Sequence, residues 1–382
     1  MLTHDTAIAA ARKISESALA TAAENDEKAL FPEATIAELG ASGLLGLTLP
    51  ADVGGSGLGL RTFSAVAAQL AEADPSLGMI YTMHVSAAAC FVAGRGSSAA
   101  TTEALRAMAA GKHLTTLAFS EKGSRSHFWA PVSKVRRTPN GVELSAYKSW
   151  VTSAGKAQSY VVSAQSPDAS SPTDSVLYWV NEGTSGLRVA APWNGMGMRS
   201  NAASPMTLED CPIPATQALT GEGEGFKAML EVVLPTFCLG SASVSLGLCR
   251  ATVAGTALHL KTARFEHLGA TLGEALPNLR ASLASMQIAT DGLAARIGDL
   301  VDNLEKPSDV TVLRVLETKA AAGETSIEVT QAAMRTCGGA AFSRQTGIER
   351  YFRDAQASAV MAPTADVLRD LIGKALLGLP LF

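Results

Sequence analysis

Over the first 112 residues, apolar side chains recur at three- and four-residue steps in an Ala- and Leu-rich background. This predicts helices, interrupted by FPE at 31–33 and PADVGGSGLGL at 50–60. From about Leu114 the pattern changes to short alternating runs, LTTLAFSE, GVELSAYKSWVTSA, SYVVSAQS and SVLYWVNEG, which read as strands, with Pro139-Asn140-Gly141 as a hairpin turn. CPIPATQAL and the acidic, glycine-rich GEGEGF at 221–226 end that pattern, and helical periodicity then runs to the C-terminus. The expectation is an α+β multidomain chain with a helical domain at 1–113, a β domain at 114–218 and a second helical domain at 219–382. No repeat of fixed period is evident.

Pro75 to Gly94 and Val232 to Cys249 lack charge for long enough to raise the question of membrane spans. Ser, Thr and Gly punctuate both, His84 lies in the first and Pro235 in the second, so they read as helices buried on all sides within a bundle. No membrane partner is expected.

Composition narrows the class. The chain has 382 residues, 47% of them hydrophobic and 17% charged, which supports a large core and excludes a natively unfolded protein. Lys plus Arg is 31 against 35 Asp plus Glu, so no basic excess would draw the chain to nucleic acid. The five cysteines, Cys90, Cys211, Cys238, Cys249 and Cys337, show no CxxC or metal-ligand spacing and read as reduced, buried thiols. Acidic residues run through the first thirty positions with no apolar block and cleavage site, so a cytoplasmic location is expected.

The sequence contains no GxGxxG opening a strand–helix unit, and no GxxxxGK[ST], HExxH or GxSxG. Nucleotide hydrolysis, zinc hydrolysis and serine-hydrolase chemistry are therefore unsupported. Among six isolated histidines, His127 lies in a Gly- and Ser-rich loop and is a candidate functional residue, with a plain surface histidine as the alternative.

Four segments carry a resemblance: PADVGGSGLGL; LAFSEKGSRSHF followed by SAYKSWVTSAGKAQSYVVSA; NGMGMRSNAASPMTLEDCPIPA at 194–215; and RTCGGAAFSRQTGIERYFRDAQASAVMAPTADV. In that order and spacing, across nearly the whole chain, the sequence resembles the acyl-CoA dehydrogenase family of flavoproteins. The resemblance implies an N-terminal helical domain, a β-barrel-like middle domain and a C-terminal four-helix bundle, with FAD between the last two and assembly as a homotetramer or homodimer. Such a site needs preorganised donors at the pyrimidine and N5 edges of the flavin, where negative charge arrives on reduction.

By the family match, Phe119 and Ser120 offer backbone amides at a strand end, and Ser126 falls where a loop serine reaches phosphate or acyl-CoA groups. Trp150 is matched to a position against the flavin ring and the Thr152 hydroxyl to its N5 edge; the alternative for Trp150 is an ordinary core tryptophan. Arg264 matches a pyrophosphate contact, and Gly338 and Gly339 match a glycine pair where cofactor approaches backbone closely. Arg335 stands where the family usually has glutamine, and Thr364 and Asp366 fall near the adenine half of FAD. The family draws its adenosine and pyrophosphate contacts from a neighbouring subunit.

The match fails at the catalytic base. The family removes the α-proton of an acyl thioester with a carboxylate while hydride passes to the flavin, and most members place that glutamate after RDA, at the position of Ala362 here. A minority place it on the first long helix of the C-terminal bundle, around Thr236 and Phe237, and neither is a base. Glu231, over one turn earlier, is the only acid nearby and is the candidate relocated base; its alternative is a solvent-facing helix acid.

The sequence therefore reads as an FAD-dependent oxidoreductase acting on an acyl thioester, such as an acyl-CoA, or a related small substrate, with an atypical or relocated base. A flavin-dependent monooxygenase on the same fold, using reduced flavin and oxygen, is the alternative, in which His127 would steer oxygen or substrate. A DNA-associated flavoprotein is disfavoured by an isoelectric point near 5.9. The apolar end of the chain, LRDLIGKALLGLPLF, is expected to pack on the bundle or on a partner subunit.

Overall fold

The computed structural model describes residues 1–381. Helices α1 (His4–Lys28), α2 (Glu33–Ala41), α3 (Leu60–Ala73), α4 (Pro75–Ala93) and α5 (Ala99–Ala109) form the first part. Asp74 caps α4 by accepting from the Ser76 N–H at 2.8 Å, and Pro75 occupies the first turn, where its missing N–H is not needed. Most of α4 is buried, as expected for a core helix rather than a lipid-facing one.

Two sheets follow. Strands β1 (Thr115–Ala118), β4 (Ser159–Gln165) and β5 (Ser175–Asn181) form one, in the order β1-β4-β5. Strands β2 (Val135–Thr138), β3 (Gly141–Val151), β6 (Leu187–Val189) and β7 (Ser204–Pro214) form the other, in the order β2-β3-β7-β6. Thr138 pairs with Gly141, so the hairpin turn expected at Pro139-Asn140-Gly141 is the two residues Pro139-Asn140, with Gly141 already in β3. The barrel-like middle is thus a pair of sheets, joined by isolated bridges at Lys134–Gln165 and Glu121–Lys148.

The remainder is helical, with α6 (Gly225–Ala228), α7 (Leu234–Thr262), α8 (Leu272–Ala275), α9 (Pro277–Glu305), α10 (Thr311–Cys337), α11 (Gly339–Phe342), α12 (Ile348–Val360) and α13 (Ala365–Leu376). A small hairpin, β8 (Arg264–Phe265) with β9 (Ala270–Thr271), follows α7. Helix α7 is buried along most of its length against α3, α4, α9, α10 and α12. At Gly247 a Cβ would meet the Ala68 carbonyl oxygen at 2.2 Å, so glycine is what lets α7 lie against α3.

Between α6 and α7 the chain makes a π turn, Met229–Val233. Pro235 has no N–H to give to the carbonyl four residues back, that of Glu231, and the wider turn accommodates this. All five cysteines are free and buried. At the C-terminus, Leu381 packs against the core, whereas Leu376, Leu377 and Leu379 are exposed. Phe382, the last residue of the expected packed tail, lies outside the described residues.

Candidate functional site

A cavity of about 1010 Å³ opens where the β domain meets the last helices, at the upper end of the volumes typical of ligand sites. Its β side is lined by Phe119, Ser120, Ser126, Ser149, Trp150 and Thr152. Its helical side comes from Met79 and Met83 of α4, Val233 and Phe237 at the start of α7, and Ala357, Met361, Ala362 and Thr364 around the end of α12.

The strand end of β3 is shaped for this role. Lys148 pairs with Met206 and Val151 with Ser204, so three steps along β3 answer two along β7, a β-bulge. The extra residue turns Trp150 out at φ 57°, and its indole is 65% exposed, edge-on to Trp193 with ring centroids 5.6 Å apart. An ordinary core tryptophan is excluded. Arg125, Trp150 and Met198, all lining the cavity, are non-glycine residues with positive φ, a concentration of backbone strain that marks functional sites.

A buried ion pair joins the two segments of the β wall. The Lys148 ammonium, with no exposed side-chain surface, donates to Glu121 Oε1 at 2.5 Å and to the Ser163 carbonyl at 2.6 Å. Glu121 also accepts from the Ser133 hydroxyl and from the backbone N–H groups of Val132 (2.7 Å) and Ser133 (2.9 Å). Burial pushes the Glu121 carboxyl up, but Lys148 and these hydrogen bonds outweigh it and hold the group below the usual range. Glu121 is the one acid among the described residues lining the cavity, and both of its oxygens are engaged.

The loop from Trp193 to Ala203 is anchored from behind. The Met198 N–H donates to Asp354 Oδ1 at 2.6 Å, and the Ser200 hydroxyl donates to Asp74 Oδ2 at 3.0 Å. A Cβ on Gly197 would come within 2.4 Å of the Arg353 carbonyl oxygen, so this loop lies tight on α12. Burial drives the Asp354 carboxyl up to about 7 against the Met198 N–H, with the charge of Asp74 adding to the rise.

The helical wall is held by Lys319 of α10, which is 2% exposed. Its ammonium donates to the carbonyls of Met361 (3.0 Å) and Pro363 (2.8 Å) and lies 6.0 Å from the centroid of the Phe237 ring. The Ser126 hydroxyl accepts from the Thr364 N–H at 2.8 Å and donates to the Thr364 hydroxyl at 3.2 Å, linking the β domain to the bundle.

Of the residues singled out in the sequence, Phe119, Ser120, Ser126, Trp150, Thr152 and Thr364 meet in this cavity, and Ala362 lines it. His127 and Asp366 line a separate hollow of about 390 Å³ beside it, where His127 is exposed and lies against Trp129. Arg264, Arg335, Gly338 and Gly339 are exposed and outside the cavity lining. Glu231 is exposed on the π turn and does not line the cavity, whereas Val233, two residues on, does. The wider turn breaks the 3.6-residue phase from which a cavity-facing Glu231 would be extrapolated. Trp193, Asn201, Lys148 and Lys319 were not read from the sequence; Lys148 shares the inward register of β3 with Val142 and Leu144, a signal that could have found it, whereas Lys319 lies among other charged residues and has none.

The cavity fits a flavin. No hydrogen bond occupies the Ser120 or Thr152 hydroxyls among the described residues, both residues line the space, and the exposed Trp150 indole offers an aromatic face beside them. The cavity at the sheet–bundle junction thus has the room, the free hydroxyl donors and the aromatic face that a flavin needs.

The acyl-CoA dehydrogenase N-terminal, middle and C-terminal domains match residues 3–112, 116–211 and 223–377. The chain belongs to the acyl-CoA dehydrogenase family. It is 27% identical to the mitochondrial short-chain specific acyl-CoA dehydrogenase of Homo sapiens, over 98% of this chain and 90% of that protein. It is 25% identical to the probable acyl-CoA dehydrogenase FadE25 of Mycobacterium tuberculosis, over 98% and 95%. Among solved structures it resembles butyryl-CoA dehydrogenase from Megasphaera elsdenii, with a TM-score of 0.91, 22% identity and coverage of 99% of both chains. It also resembles FMN-bound TdsC from Paenibacillus sp. A11-2, with a TM-score of 0.87, 20% identity and coverage of 97% of both. The fold, the enzyme class and an FAD cofactor follow from this family.

Proposed function

We propose that this oxidoreductase carries out an oxygen-consuming, flavin-dependent oxidation of an uncharged, apolar small molecule, rather than the base-initiated α,β-dehydrogenation of an acyl thioester. The observation that carries this reading is the state of the cavity's acid. Glu121 is held by Lys148 and three further donors, and the position matched to the family's base is Ala362. Loss of a positioned general base typically costs about 10²–10⁴ in rate. The bound flavin supplies two-electron redox chemistry; its electrons would come from a separate reductant, with oxygen as the oxidant.

The chain's own residues divide the work. Trp150 would cover the ring, and the Ser120 and Thr152 hydroxyls would donate to its polar edge, where they stabilise negative charge better than mobile water does. Met79, Met83, Val233, Phe237, Ala357 and Met361 form an apolar wall that would exclude water and accept a substrate body without charge. Ser126 and Thr364, with Asp366 in the adjoining hollow, would take the ribose and phosphate portion. Arg264, Arg335, Gly338 and Gly339 would serve the cofactor of a neighbouring copy.

A second reading, dehydrogenation of an acyl-CoA, is favoured by the short-chain acyl-CoA dehydrogenases among the relatives. The test mixes holoenzyme anaerobically with butyryl-CoA, and separately supplies NADH, a flavin reductase and indole in air. The reading expects no bleaching in the first case, and in the second oxygen uptake matched by an oxygenated product. Rapid anaerobic bleaching by butyryl-CoA would establish the second reading instead.

A further inference from the structure

Among the described residues, Lys319 is a buried cation without a carboxylate partner. Of the three acids on its own helix, Glu317 pairs with Arg314 and with Arg296 of α9, Glu324 pairs with Arg369 of α13, and Glu328 makes no ion pair with Lys319. From α7 it is faced by the Phe237 ring and by the Cys238 thiol, which burial pushes up to about 12 and so keeps neutral. From the chain after α12 it meets only carbonyl oxygens, those of Met361 and Pro363.

Met361 is the C-terminal cap of α12, so its carbonyl is one of those that the helix leaves without an internal partner, at the negative end of its dipole. A cation there satisfies the carbonyl and favours the dipole together. The same four residues, 361–364, supply Met361, Ala362 and Thr364 to the cavity, and Thr364 is the residue that Ser126 grips from the β side.

We propose that Lys319 is the positioning residue of the cavity's helical wall: by holding the carbonyls on either side of Ala362, its ammonium sets where Met361, Ala362 and Thr364 stand against the cofactor and substrate. It touches neither, and acts through the segment it holds. Hydrogen bonds to charged donors are about twice as strong as neutral ones, so losing both lets this wall move while the bundle behind it stays packed. Burial pulls the Lys319 ammonium down to about 8, so the wild-type clamp itself weakens in mildly alkaline solution.

The test measures the dissociation constant and visible spectrum of FAD in purified holoenzyme from pH 7 to 9.5, for wild type, Lys319→Met and Lys319→Arg. The expected result is roughly tenfold or greater weakening in Lys319→Met with unchanged circular dichroism, and partial recovery in Lys319→Arg, whose guanidinium stays charged. Wild-type affinity should fall above about pH 8 while that of Lys319→Met stays flat. If Lys319→Met fails to fold, Lys319→Gln takes its place in the same comparison and is judged by the same outcomes. FAD affinity and spectrum unchanged in Lys319→Met, with only the melting temperature lowered, would overturn it as well and leave the flavin reading intact. No FAD binding by wild type at any pH would remove both.

Discussion

Asp354 holds its proton to higher pH than the unfolded chain would, since burial lifts it from an ordinary carboxylate value to about 7. A raised folded-state value means that the native state binds more protons than the unfolded state between about pH 4 and 7. The stability contributed by this group is therefore full below about pH 4 and lost as pH rises through 7, with a slope of at most about 1.4 kcal/mol per unit. Asp354→Asn keeps an oxygen for the Met198 N–H and removes the titration. Urea unfolding across pH 4–7.5 should show a flatter profile for the variant than for wild type.

Trp150 and Thr152 make a prediction of a different kind. Because the Trp150 indole is 65% exposed, Trp150→Ala should change unfolding free energy by less than about 1 kcal/mol. If it lies on the flavin, the same substitution should weaken FAD binding roughly tenfold, read by equilibrium dialysis, and Thr152→Ala should shift the visible flavin band. At this scale the sequence was legible where a residue sits in a matched motif, as Trp150, Thr152, Ser126 and Thr364 do. It was not legible at Glu231, where a local π turn changes which side chains face inward, or at Trp193, which reaches the site from a loop that no periodicity describes.

Among the elements, the joint between the segments 119–126 and 148–152 decides whether the β wall is preorganised. Its backbone part is the Ser149 N–H donating to the Ser120 carbonyl at 2.8 Å, and its side-chain part is the buried pair of Glu121 and Lys148. Lys148→Met strands a buried carboxylate and should cost about 3–5 kcal/mol in urea unfolding. The double variant Glu121→Gln with Lys148→Met should recover much of that, and the double-mutant cycle gives the coupling. A loss in the double variant equal to the sum of the losses in Lys148→Met and Glu121→Gln would show that the pair is not coupled. The alternation of β3 announces a strand, but the bulge that aims Trp150 depends on pairing with β7, and that partner is about sixty residues away in the chain. A separation of 27 residues likewise hides Lys148 from Glu121. The long buried helices α4 and α7, by contrast, could be read from uncharged runs alone, because their burial is a property of the run itself.

For the whole molecule, Phe342 at 86% and Leu268 at 59% exposure, beside the exposed Arg264, Arg335, Gly338 and Gly339, leave apolar surface at the hairpin and α11. If a second copy covers it and shares its cofactor contacts, light scattering will give a dimer or tetramer, and Phe342→Glu will lower both the assembly state and FAD affinity. A monomer with full FAD affinity would contradict this. The central claim is that the cavity holds a flavin but no free base, and it is tested most directly by anaerobic titration of holoenzyme with butyryl-CoA, in wild type and in Ala362→Glu. The account predicts that wild-type flavin stays oxidised while the variant, given a carboxylate on the cavity wall, is bleached. Stoichiometric bleaching of the wild type would contradict it.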